Sequence, residues 1–141
     1  MNVKKGIHDL LAANGFVTSD LAVYDFGSGD APAIFTMQIF PERTQYPAII
    51  IRSIDSTVFG TRANRGAEMF IDVSVYGNKG HSDLVLIGIA DAVWDALDRQ
   101  TITVTGYHNC LLQADAPVET TDGDGFVGHI VRCRVIMVAT S

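Results

Sequence analysis

Apolar and polar residues alternate most clearly between Met69 and Tyr76. This period of two predicts a strand with one side facing a core. The core-facing residues of that strand are Met69, Ile71, Val73 and Val75. The β-branched run at 48–54 predicts a second, buried strand. A long closing strand is predicted at 126–139, with Val131, Cys133, Val135 and Met137 on one side and Arg132 and Arg134 on the other.

Residues 84–97 have the composition of a helix that is apolar around most of its circumference. Its polar stripe consists of Gly88, Asp91, Asp95 and Asp98. A sheet packs against only one side of a helix, so a second element must pack against the remaining apolar side chains of this helix. That element is either a neighbouring subunit or the N-terminal helix predicted at 3–14, where Val3, Ile7, Leu10 and Leu11 recur at helical spacing.

The remaining segments complete an α+β domain. Short strands are predicted around Val23 and at 34–39, and one or two more at 101–120. Residues 55–68 carry Gly, Asn and two arginines, and they predict a long projecting loop between two central strands. We therefore expect a single domain over 1–141, with a mostly antiparallel sheet and both helices on one of its faces.

Composition narrows the classes of function. The chain has 141 residues, 48% of them hydrophobic and 18% charged, and a formal net charge of -6. That negative charge argues against a protein whose whole surface binds nucleic acid electrostatically. Cys110 and Cys133 form no CxxC pair and are expected to be buried free thiols. No apolar run has the length of a membrane span or a signal peptide, so we expect the chain to remain in the cytoplasm where it is made.

Catalytic motifs are weak in this sequence. It contains no GxSxG, GxxxxGK[ST] or GxGxxG motif. The four histidines, His8, His81, His108 and His129, have no metal-binding spacing, although folding could still bring some of them together. No cofactor is expected. A small ligand-binding or catalytic α+β domain using His108, His129 and Cys133 remains an alternative.

The arginines form two groups. Arg52, Arg62 and Arg65 bracket the predicted loop, while Arg132 and Arg134 share one face of the closing strand. Ordinary surface charge is one interpretation. The other is that their guanidinium groups make forked hydrogen bonds to carboxylates across an interface or to DNA phosphates. An acidic chain with a few grouped arginines fits subunit pairing better than DNA binding.

The order of segments resembles a known family. A short N-terminal helix is followed by the Pro-bounded FPERTQYPAIIIRS, a polar arm, and then AEMFIDVSVYGNKGHSDLVLIGIADAVWDALD. This order is similar to that of the tail-completion proteins of long-tailed bacteriophages, which include tail terminators and tail-to-head joining proteins. The resemblance covers about residues 44–138 and rests on pattern, because the family carries no catalytic signature.

The resemblance implies a structural virion protein without enzymatic activity, located at the tail-neck junction. Such proteins form a ring, usually a hexamer, on the head-proximal end of the tail tube; the ring ends tube polymerisation and joins the tail to the head. The implied partners are copies of itself, the tail tube protein and a head connector or head-closure protein. DNA would only pass through the ring lumen, and no membrane is involved. Residues expected at the subunit or tube interface are Arg52, Phe59, Arg62, Arg65, Trp94, Arg132 and Arg134.

Another neck protein is the main alternative. Head-closure and connector-adaptor subunits have a similar size and similar partners. Adaptors that bind the portal are more often helical, so the β-rich second half of this chain favours the tail side.

Overall fold

The computed structural model describes residues 3–36, 41–60, 65–77, 83–102, 107–121 and 127–139. At 54–60, 65–67, 83, 107–109, 121, 127 and 138–139 it describes the backbone only. Three helices lie in the described residues: α1 (Val3–Ala12), α2 (Gly15–Thr18) and α3 (Asp83–Leu97). Nine strands accompany them: β1 (Val23–Asp25), β2 (Asp30–Pro32), β3 (Ile34–Phe35), β4 (Ala48–Gly60), β5 (Arg65–Gly77), β6 (Thr101–Ile102), β7 (Tyr107–Ala114), β8 (Val118–Thr121) and β9 (Val127–Ala139).

Seven strands form one sheet in the order β3-β4-β5-β9-β7-β6, and β8 also pairs with β9. Strands β7 and β8 lie along the same edge of β9, because Leu112 pairs with Val135 and Val118 pairs with Ile130. Residues 115–117 between them interrupt this edge. Strands β1 and β2 form a separate antiparallel hairpin.

The larger sheet is mixed, which corrects the expectation of a mostly antiparallel sheet. Strand β3 runs parallel to β4, with Ile34 opposite Ile49 and Phe35 opposite Ile50. The amide of Ile49 also donates to the carbonyl oxygen of Ala33 at 2.8 Å. A strand of two residues has no alternation that a sequence pattern could reveal, so neither its length nor its direction was predictable.

The predicted loop at 55–68 is largely strand, which corrects a second expectation. Strand β4 continues to Gly60 and β5 begins at Arg65, and these two residues pair across the hairpin. A register shift between Ser53 and Asp55 marks a bulge. Residues 61–64 lie outside the described part. Ladder hydrogen bonds to a neighbouring strand outweigh the weak strand preference of Gly and Asp, which explains the difference.

The main core lies between one face of the sheet and the helices. The predicted alternation in β5 and β9 is confirmed, because Ile71, Val73, Val131, Cys133 and the other core-facing residues are fully buried, apart from the half-buried Met69. Helix α1 contributes Val3, Ile7 and Leu11, and helix α3 contributes Leu86, Ile89, Ala90, Val93 and Leu97, to the same cluster.

Helix α1 lies close to strands at both edges of the sheet. Lys4 Nζ donates to the carbonyl oxygen of Thr36, beside β3, at 3.3 Å. Two residues further on, Gly6 lies so close to β6 that a Cβ there would be 3.0 Å from Ile102 Cδ1. Helix α1 therefore lies close to both β3 and β6, the two ends of the strand order.

A smaller core occupies the opposite face of the sheet. Ala33, Phe35, Ala48 and Ile50 are buried there, with Tyr24, Tyr46 and Tyr76 partly buried around them. The ring of Tyr24 stands edge-on to the rings of Phe26 and Phe35, at centroid distances of 4.9 and 5.1 Å. Ser74, predicted on a polar face, is buried because this end of the sheet is covered on both sides.

The sheet is longer than its helical cover. Strands β4, β5 and β9 have 13 residues each, which corresponds to about 43 Å of extended chain. Helix α3 has 15 residues, which corresponds to about 22 Å. These strands are therefore about twice as long as α3. No helix in the described residues is long and apolar enough to cross a membrane.

Candidate assembly interface

Helix α3 presents apolar side chains to solvent at its N-terminal end. Leu84 is 79% exposed, and Val85 and Ile87 are each 37% exposed; we call these three residues the α3 apolar strip. The polar stripe is confirmed at Gly88, Asp91 and Asp95, which are exposed. Helix α3 is apolar beyond the part that the sheet and α1 cover, and the side chains of this strip are exposed to solvent in the single chain.

Helix α2 adds a second exposed apolar group. This four-residue helix packs against α3 and begins after Asn14, whose side-chain oxygen accepts hydrogen bonds from the amides of Phe16 and Val17. Phe16 projects from it and is 84% exposed. No helix was predicted at α2, because four residues are too few for a helical period to show.

Arg132 is held by a carboxylate of the neighbouring strand. It lies opposite Asp72 in the β5–β9 register, and its Nε and Nη2 donate to Asp72 Oδ1 and Oδ2 at 3.0 and 3.4 Å. This hydrogen bond, the charge of Asp72 and, at longer range, the charge of Asp115 raise the pKa of Arg132. Its guanidinium group is therefore already engaged within the chain.

Arg134 has the same kind of partner one step along the sheet. It lies opposite Phe70 and reaches diagonally to Glu68, whose two carboxylate oxygens each accept a hydrogen bond of 3.0 Å from it. The hydrogen bond and charge of Glu68 raise the pKa of Arg134. The place of Arg132 and Arg134 in an interface stays a prediction, and the structure adds that each guanidinium group already holds an acid of its own chain.

Trp94 is tied to the end of β7. Its indole Nε1 donates to the carbonyl oxygen of Ala114 at 3.0 Å, while the amide of Ala114 donates to Asp98 Oδ1 at 3.1 Å. Just before this point, Arg99 and Gln100 exchange backbone hydrogen bonds with Leu112. Helix α3 and its following turn thus close this part of the sheet edge.

The other predicted interface residues lie on or beside the long hairpin. Arg52 is half-buried in β4, on the sheet face away from the helices. The backbones of Phe59 and Arg65 lie near the tip of the β4–β5 hairpin, where Phe59 pairs with Gly66. Arg62 lies outside the described residues. The structure therefore brings Arg52, Arg132 and Arg134 to one sheet face and leaves Trp94 on the helical layer.

Two recesses accompany these surfaces. An open cleft of about 700 Å³ lies beside α1 and is lined in part by Lys4, Lys5, His8 and Asp9. Lys5 and His8 both bond to Asp9 and lower its pKa. A smaller recess of about 280 Å³ is lined by Asp115, Ala116, Val118, Ile130 and Arg132, beside β8. Val118 in that recess is 65% exposed.

A metal centre finds no support in the described residues, where no group of three or more His, Cys, Asp or Glu side chains is placed to hold an ion. Among the candidate ligands, His129 is buried in β9 and His8 is bonded to Asp9. His81 lies outside the described residues, and only the backbone of His108 is described.

Cys133 is expected to resist alkylation in the native protein. Cys110 and Cys133 are confirmed as buried free thiols. Burial first, and then the charge of Asp98, raise the pKa of Cys133 to about 12, so its thiolate fraction at pH 8 is on the order of 10⁻⁴. Iodoacetamide at pH 8 followed by peptide mass mapping should label Cys133 only after unfolding in guanidinium chloride. Rapid labelling of the folded chain would contradict this environment.

The chain is similar to known proteins at the level of structure. No protein-family model matches the chain, and no curated protein sequence matches it. A solved structure described as "Virion of native gene transfer agent (GTA) particle" contains a chain of similar fold, with a TM-score of 0.69 and 13% sequence identity. The similarity covers 97% of this chain and 95% of that chain, so the two share one fold over nearly their full lengths.

Proposed function

We propose that this protein is a structural component of a phage-type virion, and that it forms a ring on the head-proximal end of the tail tube. The near full-length fold similarity to a chain of a gene transfer agent virion carries this proposal. The ring ends tube polymerisation and joins the tail to the head connector. Its partners are copies of itself, the tube protein and a connector or head-closure protein, and DNA passes only through its lumen.

The exposed apolar residues supply a driving force for such assembly. Fully burying a side chain the size of Leu84 or Phe16 stabilises a complex by about 1.5–3 kcal/mol. Both residues are more than three-quarters exposed in the single chain. An interface that covers the α3 apolar strip supplies the second cover that helix α3 requires, without any change within the domain.

The two edges of the sheet suit a head-to-tail arrangement. On one side, β3 pairs with β4 only at Ile49 and Ile50 among the described residues. On the other side, the described partner of β8 is β9 alone. These edges differ in sequence and shape, so contact between them is heterologous, which is the type of contact that closes into a ring.

Deleting the gene distinguishes a tail-completion protein from a head-closure protein. In negative-stain micrographs of lysates that lack this chain, we expect filled heads together with overlong or unjoined tails. Supplying the chain from a plasmid should restore joined particles of normal tail length. Normal, detached tails with unfilled or leaking heads would assign the protein to head closure or to the connector adaptor instead.

A further inference from the structure

The exposed side of α3 changes from apolar to acidic along its length. Leu84, Gly88, Asp91 and Asp95 recur at alternating spacings of four and three residues, so they form one line along the helix. All four are exposed, and Ile87 of the α3 apolar strip lies beside them. Gly88 leaves the middle of this line open, because nothing lies within 4 Å of a Cβ added there.

The exposed side of α1 and α2 has the opposite order. Lys5, near the start of α1, has a side chain that is 67% exposed. Ala12 at the end of α1 is exposed, and Phe16 on α2 is 84% exposed. Lys5 also pairs with Asp9 one turn further on, but such pairs on exposed helix surfaces are weak and exchange readily. The start of α1 carries two lysines against one aspartate, so this side is basic first, then small, then apolar.

Helices α1 and α3 run in opposite directions. The first half of α1 lies near β6, because a Cβ at Gly6 would be 3.0 Å from Ile102 Cδ1, and β6 follows the C-terminal end of α3. Helix α2 lies towards the other end, where the amide of Ala22 donates to the carbonyl oxygen of Pro47 at 2.9 Å, just before β4. Helix α3 begins at that same end, because it follows β5, whose last residues pair with the start of β4. Phe16 and the α3 apolar strip therefore lie at the same end of the helical layer.

We propose that α1 and α2 of one copy pack against α3 of the next copy around the ring, so that Phe16 covers the α3 apolar strip and Lys5 lies beside Asp95. This inference rests on the ring proposed above and names the surfaces that join its subunits. A ring rotation about an axis along the helices keeps the direction of every helix, so α1 and α3 of neighbouring copies are antiparallel, as they are within one copy. Each chain offers α3 to one neighbour and the α1–α2 side to the other, which makes the contact heterologous.

A second copy is the occupant because the two surfaces complement each other in order and in length. Leu84 and Asp95 are about 16 Å apart along α3, and Lys5 and Phe16 have the same separation in sequence. The antiparallel alignment brings Phe16 to Leu84, Ala12 to Gly88, and Lys5 to Asp95. Two small residues in the middle let the helix axes come close together. A parallel alignment would instead place the Phe16 ring beside carboxylates.

Disulfide trapping tests this packing between copies. Ala12→Cys and Gly88→Cys are made as separate variants, and neither removes an exposed apolar side chain or a charge. The native cysteines are buried, and a disulfide forms only where two Cα atoms come within about 7 Å. An equimolar mixture, oxidised at a concentration at which the native chain forms rings, is expected to give a linked dimer on a non-reducing gel. Either variant alone is expected to remain monomeric on that gel, because the same residue of neighbouring copies lies too far apart.

Val118→Cys is the matched control for the trapping. Val118 is 65% exposed, but it lines the recess beside Arg132, on the sheet face away from the helices. A mixture of Ala12→Cys and Val118→Cys is expected to give at least about tenfold less dimer than the mixture with Gly88→Cys. Circular dichroism melting of each variant checks folding.

Charge reversal tests the alignment of the two helices. Lys5→Glu brings a glutamate beside Asp95, and Asp95→Lys brings a lysine beside Lys5, so each variant is expected to assemble about two- to fivefold more weakly at low salt. The double variant Lys5→Glu/Asp95→Lys is expected to recover most of the loss, because every junction again joins opposite charges. Losses that simply add in the double variant would contradict this alignment. Native mass spectrometry over a concentration series gives the assembled fraction.

The outcomes separate this inference from the ring itself. If the native chain forms rings but the Ala12→Cys and Gly88→Cys mixture gives no more dimer than the control, the ring stands and the packing is overturned. A native chain that stays monomeric, or stops at dimers, throughout the concentration series would overturn the packing as well. The deletion phenotype in micrographs tests the proposed function independently of either result.

Discussion

Replacing Leu84 with glutamate is expected to abolish ring formation and tail joining while the isolated domain stays folded. Leu84 is 79% exposed in the α3 apolar strip, so the change removes little packing within the chain. A glutamate in the first turn of a helix also interacts favourably with the helix dipole. At an assembled interface, however, the same carboxylate must give up water without a partner, which costs several kcal/mol. The assembled fraction measured by sedimentation velocity, and the yield of joined particles, should therefore fall by about a hundredfold or more.

Val23→Glu is the matched control for this substitution. Val23 is also an exposed apolar residue, at 55%, but it lies in β1, away from the α3 apolar strip. In both variants the free energy of unfolding should change by no more than about 0.5 kcal/mol, so the melting temperature should stay close to that of the native chain. Normal joining by the Leu84 variant, or equal losses in both variants, would show that the strip is not the assembly surface.

Gly128→Ala is expected to destabilise the protein more than the other substitutions named above. Gly88→Ala is expected to stabilise it. Gly128 lies opposite Tyr76, and a Cβ added there would lie 2.6 Å from Tyr76 Cδ1 and 2.9 Å from the backbone oxygen of Val75. Relieving this overlap requires the Tyr76 ring and the strand to shift. Overpacking of this kind costs about 1–3 kcal/mol, so the melting temperature should fall by about 3–10 °C.

The opposite result is expected at Gly88 because nothing lies within 4 Å of an added Cβ there. An alanine within a helix is favoured over glycine by up to about 1 kcal/mol. Thermal unfolding of both variants, followed by circular dichroism, gives the comparison. A Gly128 variant as stable as the native protein would mean that the Tyr76 ring does not cover this glycine.

The sequence predicted those elements whose residues repeat over a sufficient length. Strands β5 and β9 and helices α1 and α3 each have ten or more residues, so the burial of one face is visible locally. Helix α2 and strand β3 have four and two residues. Such short elements are fixed by their tertiary neighbours, and no local pattern announces them.

The arginines illustrate the same limit at the candidate site. The sequence placed Arg132 and Arg134 on one face of a strand, and the structure confirms that face, since both are exposed. Their partners Asp72 and Glu68 are 60 and 66 residues away in sequence. Pairing them requires knowledge that β5 and β9 are neighbours and in which register. The sequence offered one indication of these pairs: acidic residues lie on one face of one predicted strand, and arginines lie on one face of another.

The β4–β5 hairpin shows why residue propensities predicted a loop where the structure has strands. Residues 55–60 and 65–68 include several residues that favour turns, yet each backbone pairs with a neighbouring strand. Strand β9 continues beside β5 as far as Val138, which pairs with Gly66. Support from both β4 and β9 therefore holds the central strand β5 extended. Only the arrangement of the whole sheet supplies that support.

The hydrogen bonds from Trp94 and Asp98 to Ala114 also limit how copies of this chain can aggregate through their sheet edges. Amyloid-like stacking needs a long, uninterrupted run of free amide and carbonyl groups along an edge. Here an indole and a carboxylate occupy the groups of Ala114 in the middle of that edge, and Pro117 follows without an amide proton. Indefinite fibre growth along this edge is thereby discouraged.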